Sequence, residues 1–169
     1  GRIPAHPAHT PSSPLAHGVS VRRAMIIDDL SYKYARLRER GYKSVIHLKD
    51  LAYQAVEYAS DLSFGAGMAA MQNLLKENPP DAVFAVSDTL AAGALHAIQQ
   101  AGLRVPEDIA VVGFDGTELA EMISLTTIEQ PSRDIGRKAV DLLLNKIDNP
   151  DAPTERVMMD WRFISRASA

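Results

Sequence analysis

Residues 82–116 read AVFAVSDTLAAGALHAIQQAGLRVPEDIAVVGFDG, and this stretch decides the fold. Its two unbroken apolar runs, 82–86 and 109–114, are typical of parallel strands buried on both faces. Between them, small and apolar residues recur at helical spacing, and Gly102 follows where a left-handed helix end is expected. A strand–helix–strand unit of this kind predicts an α/β protein with a parallel sheet.

The same alternation extends in both directions along the chain. Upstream, the pattern predicts strands at 22–27 and 55–60 and helices at 32–49 and 65–77. Downstream, it predicts a short helix at 118–123, an extended segment at 125–130, a helix at 132–147 and a last strand at 157–163. We therefore expect a doubly wound parallel sheet of about five strands. The runs 82–86 and 109–114 should be adjacent and central in it.

Composition narrows the functional classes. The chain has 169 residues, a formal net charge of -3 and no cysteine. A nucleic-acid-binding domain usually carries a basic excess, which this chain lacks. The absence of cysteine excludes disulfides, zinc–cysteine sites and thiol catalysis. No apolar run approaches the ~20 residues of a membrane span, and no signal-peptide pattern opens the sequence. These features predict a cytoplasmic protein without a membrane segment.

The first residues differ from the rest. Positions 1–18 hold four of the ten prolines and three of the five histidines. Because they lack apolar periodicity, we interpret residues 1–21 as a disordered tail, an upstream linker or a non-native leader. The three histidines could bind a metal, but a solvated tail is the favoured interpretation. Residues 22–169 form the predicted domain.

Polar residues follow three of the predicted strands. Ser87-Asp88 and Asp115-Gly116 end the two buried runs, and Asp61 follows the strand at 55–60. Ligands of open α/β sheets bind beyond the carboxyl ends of the strands, so these residues are candidates for binding a polar small molecule. For Asp88 and Asp61, helix capping is the alternative, and for Asp88 it is the favoured one. For Asp115, ligand contact is favoured.

Motifs for catalysis are missing. The sequence contains no Gly-x-Ser-x-Gly elbow and no phosphate-binding glycine loop, and Gly65-x-Gly67 lacks the third glycine of a dinucleotide motif. The adjacent acids Asp28 and Asp29 could bind a divalent ion, but a solvated turn is the favoured interpretation. We expect a protein that is not an enzyme and uses neither a metal nor a cofactor.

Residues 87–144 contain a Ser-Asp strand end, the motifs GLRVPEDI, VVGFD and LTT, and a Gln-Pro pair before the last helix. In these features they strongly resemble the effector-binding domain of LacI-family (lactose-repressor-type) transcriptional regulators. Upstream, LRERGYKSVI at 37–46 and DLSFGAG at 61–67 resemble further family segments. The resemblance implies a type I periplasmic-binding-protein-like body of two lobes, with an effector bound between them.

The resemblance also implies a place for each part of the chain. Residues 22–130 would form most of the C-terminal lobe, whereas the helix at 132–147 and the last strand would return to the N-terminal lobe. A headpiece, a hinge and the first half of the N-terminal lobe have no counterpart, so we expect an N-terminally truncated regulator. It would form a homodimer and would reach operator DNA only through a helix-turn-helix headpiece missing from this chain.

Four effector-binding residues follow from the resemblance. Arg38 would donate to hydroxyls or a carboxylate, with Arg40 as the alternative. Leu62 occupies a position that often holds an aromatic ring stacked on a sugar or base. Ser87 matches a small polar residue that hydrogen-bonds the ligand, and Asp115 matches an acceptor for ligand hydroxyls.

The predicted function is therefore small-molecule sensing. The domain would bind a sugar-like or nucleoside-like effector in an interlobe cleft and so modulate DNA binding. The alternative is a periplasmic sugar-binding protein of a transporter, because such proteins share the fold.

Overall fold

The computed structural model describes residues 21–48 and 54–169. In these ranges strands and helices alternate along the chain. They are β1 (Arg23–Ile27), α1 (Lys33–Leu48), β2 (Gln54–Tyr58), α2 (Phe64–Glu77), β3 (Ala82–Ala85), α3 (Asp88–Gln100), β4 (Ala110–Asp115), α4 (Glu118–Met122), β5 (Thr126–Glu129), α5 (Ser132–Asp148) and β6 (Arg162–Ile164). All but β6 agree with the predicted elements to within one or two residues. The predicted leader lies outside the described residues, except for Val21.

The strands form one sheet in the order β2-β1-β3-β4-β5-β6. The first five are parallel, and β6 pairs with β5 in the antiparallel direction. β3 and β4 are adjacent interior strands, and Val83 and Val111 are 2% and 0% exposed. The prediction that these two strands are adjacent and central is confirmed, whereas their opposite face, which carries Phe84 and Val112, is only partly buried.

The strand order fixes where the helices lie. The connection from β1 to β2 runs one way across the sheet, whereas the connections from β2 to β3, β3 to β4 and β4 to β5 run the other way. Because such crossovers are right-handed, α1 covers one face and α2, α3 and α4 cover the opposite face. The direction of winding reverses between β1 and β3.

Two helices on the second face touch through their backbones. A Cβ at Gly93 of α3 would lie 2.1 Å from the Phe64 carbonyl oxygen of α2. A Cβ at Gly67 of α2 would lie 2.3 Å from the Leu90 carbonyl oxygen of α3. The absence of side chains at these glycines lets α2 and α3 pack more closely than any other residue would allow. This packing explains Gly67 of the Gly65-x-Gly67 pattern without a nucleotide.

The last part of the chain departs from the prediction. β6 spans only Arg162–Ile164, so the predicted strand at 157–163 is wrong over most of its length. Met158 and Trp161 are 79% and 64% exposed, and the segment has no paired strand beside it in the described ranges. α5 is also unusual, since none of its 17 residues is buried.

Candidate functional site

The candidate site lies at the carboxyl ends of β1 and β3. These strands are neighbours, and the Val86 amide donates a 3.0 Å hydrogen bond to the Ile26 carbonyl. The winding direction reverses between them, and open α/β sheets bind ligands beyond the strand ends at such a reversal. Asp28 follows β1 there and Ser87 follows β3. α1 brings Arg38 to the same edge, and β4 brings Asp115.

Arg38 and Asp115, two of the residues that the family resemblance implies, meet at this edge. The Arg38 Nη1 donates to the Val86 carbonyl at 2.6 Å, and its Nη2 lies 3.6 Å from the Asp115 Oδ1. The guanidinium carbon lies 3.8 Å from the Phe114 ring centroid and 5.1 Å from that of Tyr34. The guanidinium is thus held both by its edge and by its flat faces. Arg40, the alternative, is exposed.

Asp115 is presented by an unusual backbone. Its φ is 116°, and Gly116 follows with a φ of 73°. A Cβ at Gly116 would lie 2.5 Å from the Glu129 Cβ, so this backbone path needs glycine at position 116. The Asp115 Oδ1 also accepts a 2.8 Å hydrogen bond from the Gln130 Nε2. Non-glycine residues with positive φ cluster at functional sites.

The attraction between Arg38 and Asp115 only partly offsets the cost of burying the two charges. Burial raises the pKa of Asp115, and the nearby Arg38 and the Gln130 hydrogen bond oppose that shift only in part. Burial likewise lowers the pKa of Arg38, against the attraction of Asp115. Each charge is therefore less stable here than in water, although the two lie side by side. A ligand that donates to Asp115 and accepts from Arg38 would supply the missing interactions.

Ser87 is buried and caps a helix. It is 5% exposed, and its Oγ accepts a 3.1 Å hydrogen bond from the Leu90 amide at the start of α3. A hydroxyl that accepts one hydrogen bond still carries a proton that it can donate to a ligand. Ser87 therefore holds the N-cap position that the sequence analysis assigned to Asp88.

Asp88 has a different task from the two that the sequence suggested. Its side chain is fully buried, and its Oδ2 accepts from the amide and hydroxyl of Thr117 at 2.7 and 2.9 Å. Its Oδ1 accepts from the Thr127 hydroxyl at 2.6 Å. Asp88 thus ties α3 to β5 and to the loop after Asp115, beneath the site. The prediction that it caps α3 is wrong.

Leu62 lies apart from these contacts. It is 41% exposed in the loop between β2 and α2, and its side chain has no ring to stack on a ligand. Beside it, Asp61 accepts a 2.8 Å hydrogen bond from the Ser63 amide, and Ser63 caps α2. The structure brings Arg38, Ser87 and Asp115 to one edge of the sheet, whereas Leu62 shows no contact with them.

Sequence reasoning missed two residues of the site. Asp28 is only 2% exposed, so its interpretation as part of a solvated turn is wrong. The Tyr34 hydroxyl donates a short hydrogen bond to the Asp28 Oδ2, and the Tyr34 ring faces Arg38. The signal was present in the sequence, because Asp28 follows a buried apolar run just as Asp115 does. Asp29, in contrast, is exposed and bonds to Ser31.

Two pockets flank the site. One, of about 460 Å³, is lined by residues around Asp115, Gln130 and Arg162. The other, of about 620 Å³, is apolar and lies between α5 and residues 157–161, with Phe114 in its wall. In the described ranges, no group of three His, Asp or Glu side chains is placed to hold a metal ion. No helix there is both long enough and apolar enough to cross a bilayer.

Comparison with known proteins places this geometry in a family. The periplasmic binding protein-like domain family matches residues 18–169. The ribose operon repressor of Escherichia coli K12 is 38% identical over 152 residues, which cover 88% of this chain and 46% of the repressor. The chain thus spans about half the length of this curated relative.

Solved structures of transcriptional regulators have a similar fold. A LacI-family regulator from Enterococcus faecium with bound ribose superposes with a TM-score of 0.80 at 28% identity, over 86% of this chain and 55% of that one. The lac repressor dimer bound to operator and the anti-inducer ONPF superposes with a TM-score of 0.79 at 32% identity, over 87% and 52%.

Proposed function

Because this chain belongs to the LacI family of periplasmic binding protein-like domains, we propose that it is the effector-sensing part of a transcriptional regulator. The observation that carries the proposal is the Arg38–Asp115 pair at the reversal point of the sheet. Both charges are desolvated there without full compensation. Perturbed groups at such an edge are typical of a ligand site.

The ligand that fits best is a neutral, hydroxyl-rich molecule such as a sugar. A hydroxyl group both donates and accepts, so one hydroxyl can bridge the Asp115 carboxylate and the Arg38 guanidinium. The bound ribose in the Enterococcus faecium relative supports this class. The nucleoside-like alternative has less support, because Leu62 offers no ring on which a base could stack.

We place the ligand in a cleft between two lobes. Residues 22–130 and the last strand would form one wall, and α5 with residues 157–161 would belong to the other lobe. In support, α5 has no buried residue although Leu143 and Ile147 are apolar and 59% and 63% exposed. The apolar pocket beside α5 is a surface that the rest of an opposite lobe would cover.

The regulator would act as a cytoplasmic homodimer and would bind operator DNA through a headpiece outside these residues. The lac repressor dimer, bound to its operator in the matching structure, supports this arrangement. The function is sensing rather than catalysis, in line with the repressors among the relatives. Those relatives favour a regulator over the transporter-associated sugar-binding protein that was the alternative.

The test is a titration of the isotope-labelled chain with D-ribose and with cellobiose, followed by nuclear magnetic resonance. We expect saturable shifts of the Arg38, Ser87 and Asp115 signals with at least one sugar. Asp115→Ala should weaken that binding by roughly ten- to a hundred-fold, since an unpaired ligand hydroxyl costs about 1–3 kcal/mol. Asp141→Ala, on the exposed side of α5, is the matched control. Failure of both sugars to shift these signals would overturn the proposal.

A further inference from the structure

We propose that Tyr34 and Asp28 are positioning residues that hold Arg38 in the orientation in which it meets the ligand. Tyr34 would hold the guanidinium against Phe114, and Asp28 would hold Tyr34 by accepting a hydrogen bond from its hydroxyl group. The effect on ligand affinity rests on the proposed function, whereas the effect on the guanidinium does not.

The first support is the arrangement of planar groups around Arg38. Tyr34 and Arg38 are four residues apart in α1, so their side chains lie on the same side of the helix. The guanidinium carbon lies 3.8 Å from the Phe114 ring centroid and 5.1 Å from the Tyr34 ring centroid. Attraction between the cation and the two ring faces keeps the side chain in place.

The second support is the burial of Asp28. A carboxylate that is 2% exposed is unfavourable unless it is paired, and the Asp28 Oδ2 accepts from the Tyr34 hydroxyl. The Oδ1 of the same group is buried without a hydrogen-bond partner. An apolar residue would pack at this position without that penalty. The carboxylate is instead placed where it anchors Tyr34 and attracts the Arg38 charge.

The third support is that the hydrogen bond from Tyr34 to Asp28 persists over the physiological pH range. Burial and the hydrogen bond to Asp28 raise the pKa of Tyr34 to about 12. The phenol therefore stays protonated and continues to donate to Asp28. An arginine that is already ordered loses less conformational freedom when a ligand binds, which raises affinity without any new contact.

A neighbouring residue offers a matched control. The Tyr32 ring stacks on Tyr34 at 5.6 Å and is 55% exposed, but no described contact joins it to Arg38. Tyr32→Leu therefore removes a ring of the same size from the same stack without removing the clamp, which consists of Asp28 and Tyr34. Tyr34→Phe keeps the ring and removes only the hydroxyl.

The first experiment needs no ligand. The Arg38 side-chain signals are followed by nuclear magnetic resonance in the 169-residue chain. We expect a guanidinium that rotates slowly and feels the ring currents of Tyr34 and Phe114. Tyr34→Leu and Asp28→Ala should remove the slow rotation, whereas Tyr32→Leu should keep it. Asp28→Asn should restore most of it, because an amide oxygen still accepts from Tyr34. Unchanged Arg38 signals in both Tyr34→Leu and Tyr34→Phe would overturn the proposal.

The second experiment measures coupling with D-ribose as the probe. Tyr34→Leu should weaken binding about tenfold, as expected for the loss of a desolvated cation–ring contact. In an Arg38→Lys background the same substitution should have little further effect, because the group it positions is gone. Additive losses would overturn the positioning role. If D-ribose and cellobiose fail to bind the wild type while Tyr34→Leu still frees the guanidinium, the clamp stands and the proposed function fails.

Discussion

Replacing Asp115 by asparagine should make the protein more stable and a poorer ligand binder at neutral pH. The substitution preserves shape, and an amide oxygen can still accept the hydrogen bond from Gln130. It removes the Asp115 carboxyl group, whose pKa is raised by burial, and with it a charge that is unfavourable at this position. The Asp115 side chain is 35% exposed, so solvent screening limits the stability gain to about 1 kcal/mol.

The pH dependence gives the sign of this effect. A raised pKa means that the folded protein binds the Asp115 proton more tightly than the unfolded chain does. Its contribution to stability is therefore present below the ordinary value of 3.8 and is lost as pH rises through the folded pKa. Asp115→Asn has no carboxyl group at this position and therefore does not lose stability in this way as pH rises. Its advantage over wild type should be absent below 3.8 and fully developed at neutral pH.

The assay is urea unfolding followed by circular dichroism across that pH range, with the exposed Asp141→Asn as the control. The control should change stability by less than about 0.5 kcal/mol at every pH. D-ribose affinity of Asp115→Asn should fall by about tenfold or more. A variant that is less stable than wild type at neutral pH would refute the reasoning, because it would show that Arg38 already compensates the Asp115 charge.

Further outcomes follow from other parts of the molecule. Gly93→Ala should lower the free energy of unfolding by about 2 kcal/mol or more, because a Cβ there would lie 2.1 Å from a carbonyl oxygen of α2. Gly41→Ala, with nothing within 4 Å of the added Cβ, should raise it by about 0.5–1 kcal/mol in the same denaturation assay. Asp88→Ala should lower it by about 3 kcal/mol, since three hydrogen-bond donors lose a buried acceptor. Leu143→Lys combined with Ile147→Glu should reduce self-association of the isolated chain in sedimentation experiments without lowering its unfolding midpoint, because both side chains are exposed apolar groups. D-ribose 5-phosphate should bind at least about tenfold more weakly than D-ribose, because carboxylates outnumber guanidinium groups around Asp115.

The central sheet could be predicted because its signal is local. Unbroken apolar runs such as those in β3 and β4 have few structural alternatives, and the motifs that follow them mark helix starts. The strand predicted at 157–163 failed for the opposite reason. An apolar segment becomes a strand only where a partner strand is available, and the described residues provide one only from Arg162 onward.

Three residues of the candidate site could be proposed from the sequence. Asp115 and Ser87 end buried strands, the family resemblance implied Arg38, and the structure places all three at one edge of the sheet. The clamp made by Asp28 and Tyr34 was not found, because a pair of adjacent acids reads as a polar turn. Only the structure shows that one acid of the pair is buried and the other exposed. The helix cap was misplaced by one residue for a similar reason, since Ser87 and Asp88 are both good capping residues.

The pairing of β5 with β6 has a mechanical consequence. α5 and the segment after it leave the sheet at the end of β5 and return at the start of β6, and Glu129 faces Arg162 across these two strands. The two connections therefore leave the sheet side by side. We expect any movement of α5 relative to the sheet to be concentrated at these two adjacent connections rather than within the paired strands.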